Sequence, residues 1–241
     1  MQRLSPAPPL SDEQLRSAVD WAIASRRSIR AFLSRDVTDE QVEELLQVAR
    51  YAASGMNTQP WAVHVVRESA KERLSAAIMA VHNDPVESLE LEEPYQYYPV
   101  EWTSPYVDRR RKVGWDLYGL LNIAKGDKER MHAQHGRNYT FFDAPVGLFF
   151  TLPRIMEQGS FLDYGMFLQN IMVAARARGL DTCAQVAFTK FHRIIATELE
   201  IPDDRMLISG MSLGYADTSR PENTLATERE PSAAFTRFHK E

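Results

Sequence analysis

Two rhythms of apolar residues alternate along this chain. Leu15, Val19, Ala22 and Ile23 fall at helical spacing behind Ser11 and Gln14, whose separation is that of a capping box, so a first helix is expected there. Thr38 and Gln41 repeat the signal ahead of Val42, Leu45, Leu46 and Ala49, which place a second helix against the core. Residues 69–82 suggest another helix. A longer one is expected over 160–178, with Phe161, Leu168, Ile171, Met172 and Ala175 as its core stripe and Gly179 as its C-terminal cap. The other rhythm is shorter. Ala62 to Arg67 is β-branched and reads as a strand, and Val146 to Thr151 is an unbroken apolar run that fits a central strand buried on both faces. Short strands are also expected at Ala184 to Phe188, around Gln185-Val186-Ala187, and at Met206 to Leu213, where Gly210 and Gly214 allow close backbone approach.

The pattern lapses after residue 82. Residues 83–105 are acidic, Pro-bearing and aromatic, with Tyr95, Tyr97, Tyr98, Trp102 and Tyr106 close together, and residues 108–140 turn basic and helical, including Arg109-Arg110-Arg111-Lys112. The charges read as a solvated face of an insertion spanning 83–140. Such a density of aromatic residues in a long loop points instead to a lining role, so 95–140 is expected to form a variable lid. His132 and His135 stand three apart on the helical part, but no acid or Cys at tight spacing joins them, so they are read as solvent-facing and no metal site is expected. Residues 1–10 are a Pro-rich arm, and 218–241 have too little apolar periodicity to fold alone.

With 241 residues and 44% hydrophobic content the chain can build one sizeable core, and a single domain over 1–241 is expected. A formal charge of −5 leaves no global field for nucleic acid, so its arginine clusters must be local sites. The lone Cys183 excludes an intrachain disulfide framework and reads as a small buried residue. No apolar run is long enough for a membrane helix, and the N-terminus lacks the apolar centre of a secretory signal, so a cytoplasmic setting is expected.

Two blocks carry candidate chemistry. Arg26-Arg27-Ser28-Ile29-Arg30 sets three guanidinium groups around a hydroxyl, a donor set suited to a phosphate monoester, although alone it reads equally as a solvated basic turn or a kinase-substrate-like sequence. Ser54-Gly55-Met56-Asn57-Thr58-Gln59-Pro60-Trp61 is a turn-rich loop whose Asn57 and Gln59 can meet a polar heterocycle while Trp61 adds apolar bulk. In this order, separated by one helix, the blocks resemble the flavin-dependent nitroreductase family, with its Arg-x-Ser-x-Arg, helix, and Ser-rich Asn-x-Gln-Pro-Trp loop. Phe142-Asp143-Ala144-Pro145-Val146, the helix with Leu168-Gln169-Asn170, and the ending from Gly210 to Arg229 look like further landmarks, most like those of the bacterial nitrobenzoate reductases.

The resemblance implies an α+β fold with a mixed central sheet flanked by helices, in an intertwined homodimer whose 218–241 extension wraps the partner. It implies FMN held by Arg26, Arg27, Ser28, Arg30, Ser54, Asn57, Gln59, Gln185, Val186, Ala187 and Arg229, with Arg30 also near the flavin N1/O2 edge. Asp163, Gln169 and Asn170 are expected at the subunit interface, although a polar helix face explains them almost as well. The activity implied is a ping-pong cycle in which NADH or NADPH reduces the flavin and a nitroaromatic, such as a nitrobenzoate, is reduced to the hydroxylamine. The flavin, not a Ser, Cys or His nucleophile, carries that chemistry, and Arg109–Arg111 could meet a substrate carboxylate. A reductive dehalogenase or quinone reductase would use the same site, and a non-catalytic flavin- or nucleotide-binding module would keep only the phosphate clamp.

Overall fold

The computed structural model describes residues 9–240, so the Pro-rich arm lies almost wholly outside the described residues. Four strands, β1 (Ala62–Arg67), β2 (Val146–Pro153), β3 (Asp181–Gln185) and β4 (Arg205–Gly214), form one sheet in the order β1-β2-β4-β3. The expected strands at 62 and 146 are where the sequence places them, and β2 is central and buried along nearly its whole length. All three strand pairings are antiparallel, where a mixed sheet is expected. The reason is an insertion in space: β2 and β3 do run parallel across a helical crossover, but β4 lies between them and pairs antiparallel with both. The parallel pairing that remains among the described residues is an isolated bridge, Ser28 to Thr182, at the β3 edge.

Eight helices surround the sheet among the described residues: α1 (Asp12–Ser25), α2 (Asp39–Ala49), α3 (Glu68–Asn83), α4 (Tyr106–Leu120), α5 (Lys128–Gly136), α6 (Gly159–Arg176), α7 (His192–Glu198) and the single turn α8 (Ser232–Phe235). Strand alternation sorts four of them, α2 and α6 on one face and α3 and α7 on the other, into two layers. Leu148, Phe150 and Leu152 of β2 pack with Val42, Leu45 and Ala49 of α2 and with Tyr164, Phe167 and Ile171 of α6. Phe149 points the other way, into a cluster of Leu74 and Ile78 of α3, Phe141, Phe188, Phe191 and Ile195 of α7. Both capping boxes form: Ser11 and Gln14 exchange hydrogen bonds of 2.9 and 3.2 Å, and Thr38 and Gln41 do so at 3.0 and 3.3 Å. Gly179, at φ 72°, turns the chain out of α6.

Two expectations change. The α1 stripe does not enter this core, because only Ala22 is buried while Val19, Trp21 and Ile23 are about half exposed. The strand expected through Gln185-Val186-Ala187 stops at Gln185, and residues 186–191 coil into a 3-10 helix closed by the Thr189 hydroxyl donating to the Val186 carbonyl at 2.8 Å. That turn swings Phe188 under β4, where Gly210 admits it: a Cβ at 210 would lie 2.4 Å from the Phe188 ring. His132 and His135 are exposed, as expected, and the His132 ring also stacks on His82 of α3 at 4.0 Å, tying the 83–140 segment back to the body.

Candidate functional site

The arginine block leaves α1 in extended backbone, with Arg26 at φ −62°, ψ 132°. It docks along the β3 edge: the Ile29 N–H donates to the Thr182 carbonyl at 3.1 Å, Phe32 to Phe142 at 3.0 Å and Leu33 to Tyr215 at 2.9 Å. Extended backbone sends alternate side chains to opposite sides. Arg26, Ser28 and Arg30 therefore share one side, while Ile29 is buried on the other. Asn223 locks this register from the far end of the chain, accepting from the Arg30 N–H at 2.8 Å and donating to the Ala31 and Asp217 carbonyls at 2.7 and 2.9 Å. The turn that carries Asn223 is itself fixed by Glu222, fully buried and paired with Arg137 at 2.7 Å and Arg220 at 3.2 Å. Sequence reading treats Pro221-Glu222-Asn223 only as a marker ahead of Arg229. Pro and Asn there mark a turn, but its hold on Arg30 and Ala31 leaves no sign in the local sequence.

From that turn the chain runs on to Arg229, which returns to the arginine block. Arg26, Arg27, Ser28, Arg30 and Arg229 line one cavity of ≈ 520 Å³, with Gln169 of α6, Ile23 and Leu225. None of the four arginines is ion-paired among the described residues, and the lining contains no carboxylate. The Arg26 Nε is buried without a hydrogen-bond partner. Burial, and then the nearby Arg229 guanidinium, push the Arg26 pKa below its ordinary value. Like charges gathered at a partly dry spot with a donor unmet are stabilised by an anion, and a phosphate monoester matches the donor set. Cys183 behind them is fully buried, and burial pushes its thiol up, so it is inert core as expected.

The second block is a strained loop. Met56, Asn57 and Gln59 have φ of 50°, 58° and 47°, a left-handed conformation that costs a non-glycine residue on the order of 1 kcal/mol or more each. Its own polar groups hold it, with the Ser54 hydroxyl accepting from the Gln59 N–H at 3.1 Å and the Gln59 amide donating to the Asn57 carbonyl at 3.1 Å. Asp163 of α6, nearly buried, accepts from the Gly55 N–H at 3.2 Å, so it braces the loop within its own chain, although an interface role is also expected for it. Asn170 likewise bonds the Ala49 carbonyl at 3.3 Å within its own chain. Behind the loop the Tyr164 hydroxyl accepts from the Ala62 N–H at 3.1 Å and donates to the Thr151 carbonyl at 2.8 Å, while Trp61 stacks on Phe167 at 4.7 Å. The braces Asp163 and Tyr164 lie some 100 residues beyond the loop, and local sequence gives no sign of them.

Within one chain the expected site residues divide. The cavity gathers the arginines and Ser28 but does not include Ser54, Asn57, Gln59, Gln185, Val186 or Ala187 among its lining. The Gln185 side chain is spent internally, donating to the Asn138 carbonyl at 2.7 Å and accepting from the Ser212 hydroxyl at 2.6 Å. Of the basic run on α4, Arg109 is paired with Glu230 and the Arg110 guanidinium lies 4.8 Å over the Trp102 ring, while Arg111 has no ion pair among the described residues.

Comparison with known proteins identifies the family. A family model described as the Nitroreductase family matches residues 23–215. The chain is 42% identical to a nitrobenzene nitroreductase of Ectopseudomonas oleovorans, over 91% of this chain and 96% of that protein. It is 41% identical to a 4-nitrobenzoate reductase of Pseudomonas putida, over 91% and 94%. Among solved structures, the FMN and NADPH-dependent nitroreductase NfnB from Sphigopyxis sp. strain HMH superposes with a TM-score of 0.88 at 34% identity, covering 92% of this chain and 99% of that one. The FMN-dependent NfnB from Mycobacterium smegmatis, solved in complex with NADPH, gives a TM-score of 0.88 at 28% identity over 94% and 100%.

Proposed function

The chain belongs to the nitroreductase family, and on that premise we propose that it is an FMN-dependent oxidoreductase that uses NAD(P)H to reduce nitroaromatic compounds, nitrobenzoates among them, to hydroxylamines. The observation that carries this reading is the cavity in which four guanidinium groups, without an ion pair among the described residues, meet around Ser28, with Arg26 Nε buried and unmet. When bound, FMN supplies the redox chemistry, accepting a hydride from the nicotinamide and delivering electrons to the nitro group. The protein's part is binding, orientation and charge. Arg26, Arg27, Ser28 and Arg229 hold the phosphate, which carries roughly −1.5 to −2 charge at neutral pH. Arg30, whose Nη1 donates to the Ser28 carbonyl at 3.1 Å, would offset the negative charge that a bound flavin takes on at its N1/O2 edge on reduction.

The loop that presents Ser54, Asn57 and Gln59 completes the site from a second copy of the chain, with the backbone of 185–187 at the flavin edge. The apolar surface left by one chain supports a homodimer. Val19, Trp21 and Ile23 of α1 are about half exposed, and Leu162 of α6 is 72% exposed in a groove with Tyr51, Phe161 and Met166. Gln169 lines both that groove and the arginine cavity, so a partner seated in the groove reaches the cofactor. The exposed Phe235 and Phe238 of the tail add to the same kind of surface, in line with an extension over the partner. Within the insertion at 83–140, residues 95–140 form the variable lid, and Arg111 is the member of its basic run left to meet a substrate carboxylate. Among the described residues no helix is long and apolar enough to cross a membrane, and a free buried cysteine suits a cytoplasmic setting.

The test is an anaerobic titration of purified protein. Bleaching of flavin absorbance by NADPH or NADH, then recovery on adding 4-nitrobenzoate with hydroxylamine formed, is expected. Flavin that is bound but never bleached would make this a non-catalytic module, and recovery only with a quinone or a halophenol would reassign the substrate.

A further inference from the structure

Arg229, the one cavity arginine outside the first block, sits between two carboxylates, and both are held from the far side by the inserted segment. Glu230 accepts from Arg109 of α4 at 2.6 Å, and Glu228 lies 3.6 Å from the Lys112 ammonium. Residues 109 and 112 stand three apart on α4, hence on one face, so a single helix face contacts the extended segment on both sides of Arg229, firmly at Glu230 and more loosely at the exposed Glu228. Asp116, at 2.8 Å, holds Lys112 in turn. Arg229 is also fixed internally: its Nη1 donates to the Thr227 hydroxyl at 2.6 Å and to the Glu228 carbonyl at 2.9 Å, leaving the remaining donors of the fork free. Acid, base and acid thus part company along three residues, the carboxylates toward α4 and the guanidinium toward Arg26 and Ser28.

We propose that Arg109 and Lys112 are positioning residues for cofactor binding: through Glu230 and Glu228 they set the Arg229 guanidinium on the FMN phosphate, so that the inserted segment helps to retain the flavin. The inference rests on the reading of the arginine cavity as the phosphate site. It gives the basic run of α4 a role separate from any contact with substrate, and it couples cofactor affinity to the order of the lid.

Sign separates positioning from the general field. Glu228 and Glu230 are negative groups near a bound dianion, so by Coulomb repulsion alone their neutralisation tightens FMN. By positioning, the same change loosens it. The decisive variant is Glu230→Gln, measured on the full-length protein freed of flavin, by quenching of flavin fluorescence with FMN and with riboflavin, which lacks the phosphate. The Arg109–Glu230 pair is about half exposed, at 51% and 48%, so the expected loss of FMN affinity is modest, roughly twofold to fivefold. Riboflavin affinity is expected to stay unchanged, Lys112→Gln to shift FMN the same way, and the swap of Arg109→Glu with Glu230→Arg to restore it. FMN binding unchanged or tightened in Glu230→Gln overturns the proposal, as does an equal loss for FMN and riboflavin. Wild-type protein that binds FMN no better than riboflavin would instead overturn the phosphate site, and this inference with it.

Discussion

A two-residue spacing decides what the arginine block can do. Arg-x-Ser-x-Arg is a cluster of donors in any conformation, but only extended backbone puts Arg26, Ser28 and Arg30 on one side. The chain is extended there because Ile29 and Phe32 hydrogen-bond to Thr182 and Phe142. The residue types and the chemistry they suit were legible in the sequence. What makes them a site was not, because Asn223, almost 200 residues away, holds the Arg30 N–H and the Ala31 carbonyl. Arg229 is similar, an isolated charge in the sequence and a neighbour of Arg26 in space. Removal of one such donor should be specific to the phosphate. Arg26→Ala is expected to weaken FMN by about 10- to 100-fold, the worth of roughly 1.5–3 kcal/mol for a charge-assisted hydrogen bond, with riboflavin affinity little changed. Calorimetric titration of both flavins checks it, and equal losses would show that Arg26 serves the fold.

Among the elements, those with strong local signals were readable to within a residue or two. The capping boxes at Ser11 and Thr38 form, and β1 and β2 start where their apolar runs do. The misses share one cause, packing that overrides pattern. Val186-Ala187-Phe188 has the composition of a strand, yet Phe188 is drawn into the space Gly210 leaves, and the backbone coils to deliver it. The α5 histidines dock on α3 while staying exposed. His82 of α3 meets His132 and His135 of α5 with ring centroids at 4.0 and 5.7 Å, Lys190 adds a further positive charge, and no carboxylate pairs with them among the described residues. Burial, then the adjoining imidazole, pushes the His82 pKa below its ordinary 6.5, and His135 moves the same way. The folded state therefore favours the neutral forms of His82 and His135. Below pH 6.5 the unfolded chain takes up protons that the folded one refuses, so the docking of α5 on α3 is fully present above that pH and is lost as pH falls. Amide exchange in α5, corrected for the intrinsic rate, is expected to accelerate from pH 7.5 to 5.5 in the wild type and less so in His82→Gln. Equal slopes would remove the histidines from the explanation.

At the scale of the molecule, the cationic cavity and the strained Ser54–Gln59 loop do not meet within one chain, and apolar residues of α1 and α6 stay exposed beside the cavity. The α1 stripe reads in the sequence as core because periodicity reports that a face is buried, not what buries it. Here the burying surface is proposed to be a second chain, and one interface would then account for the exposed stripe, the divided site and the groove shared through Gln169. Leu162→Asp is the probe of choice, since that side chain is exposed in the single chain and does not line the arginine cavity. Sedimentation of wild type and Leu162→Asp, followed at both protein and flavin absorbance, reads assembly and cofactor together. A species of two chains carrying flavin, and a single-chain variant that has lost most of it, are expected. Flavin moving at full occupancy with a single chain would contradict a site shared between two copies.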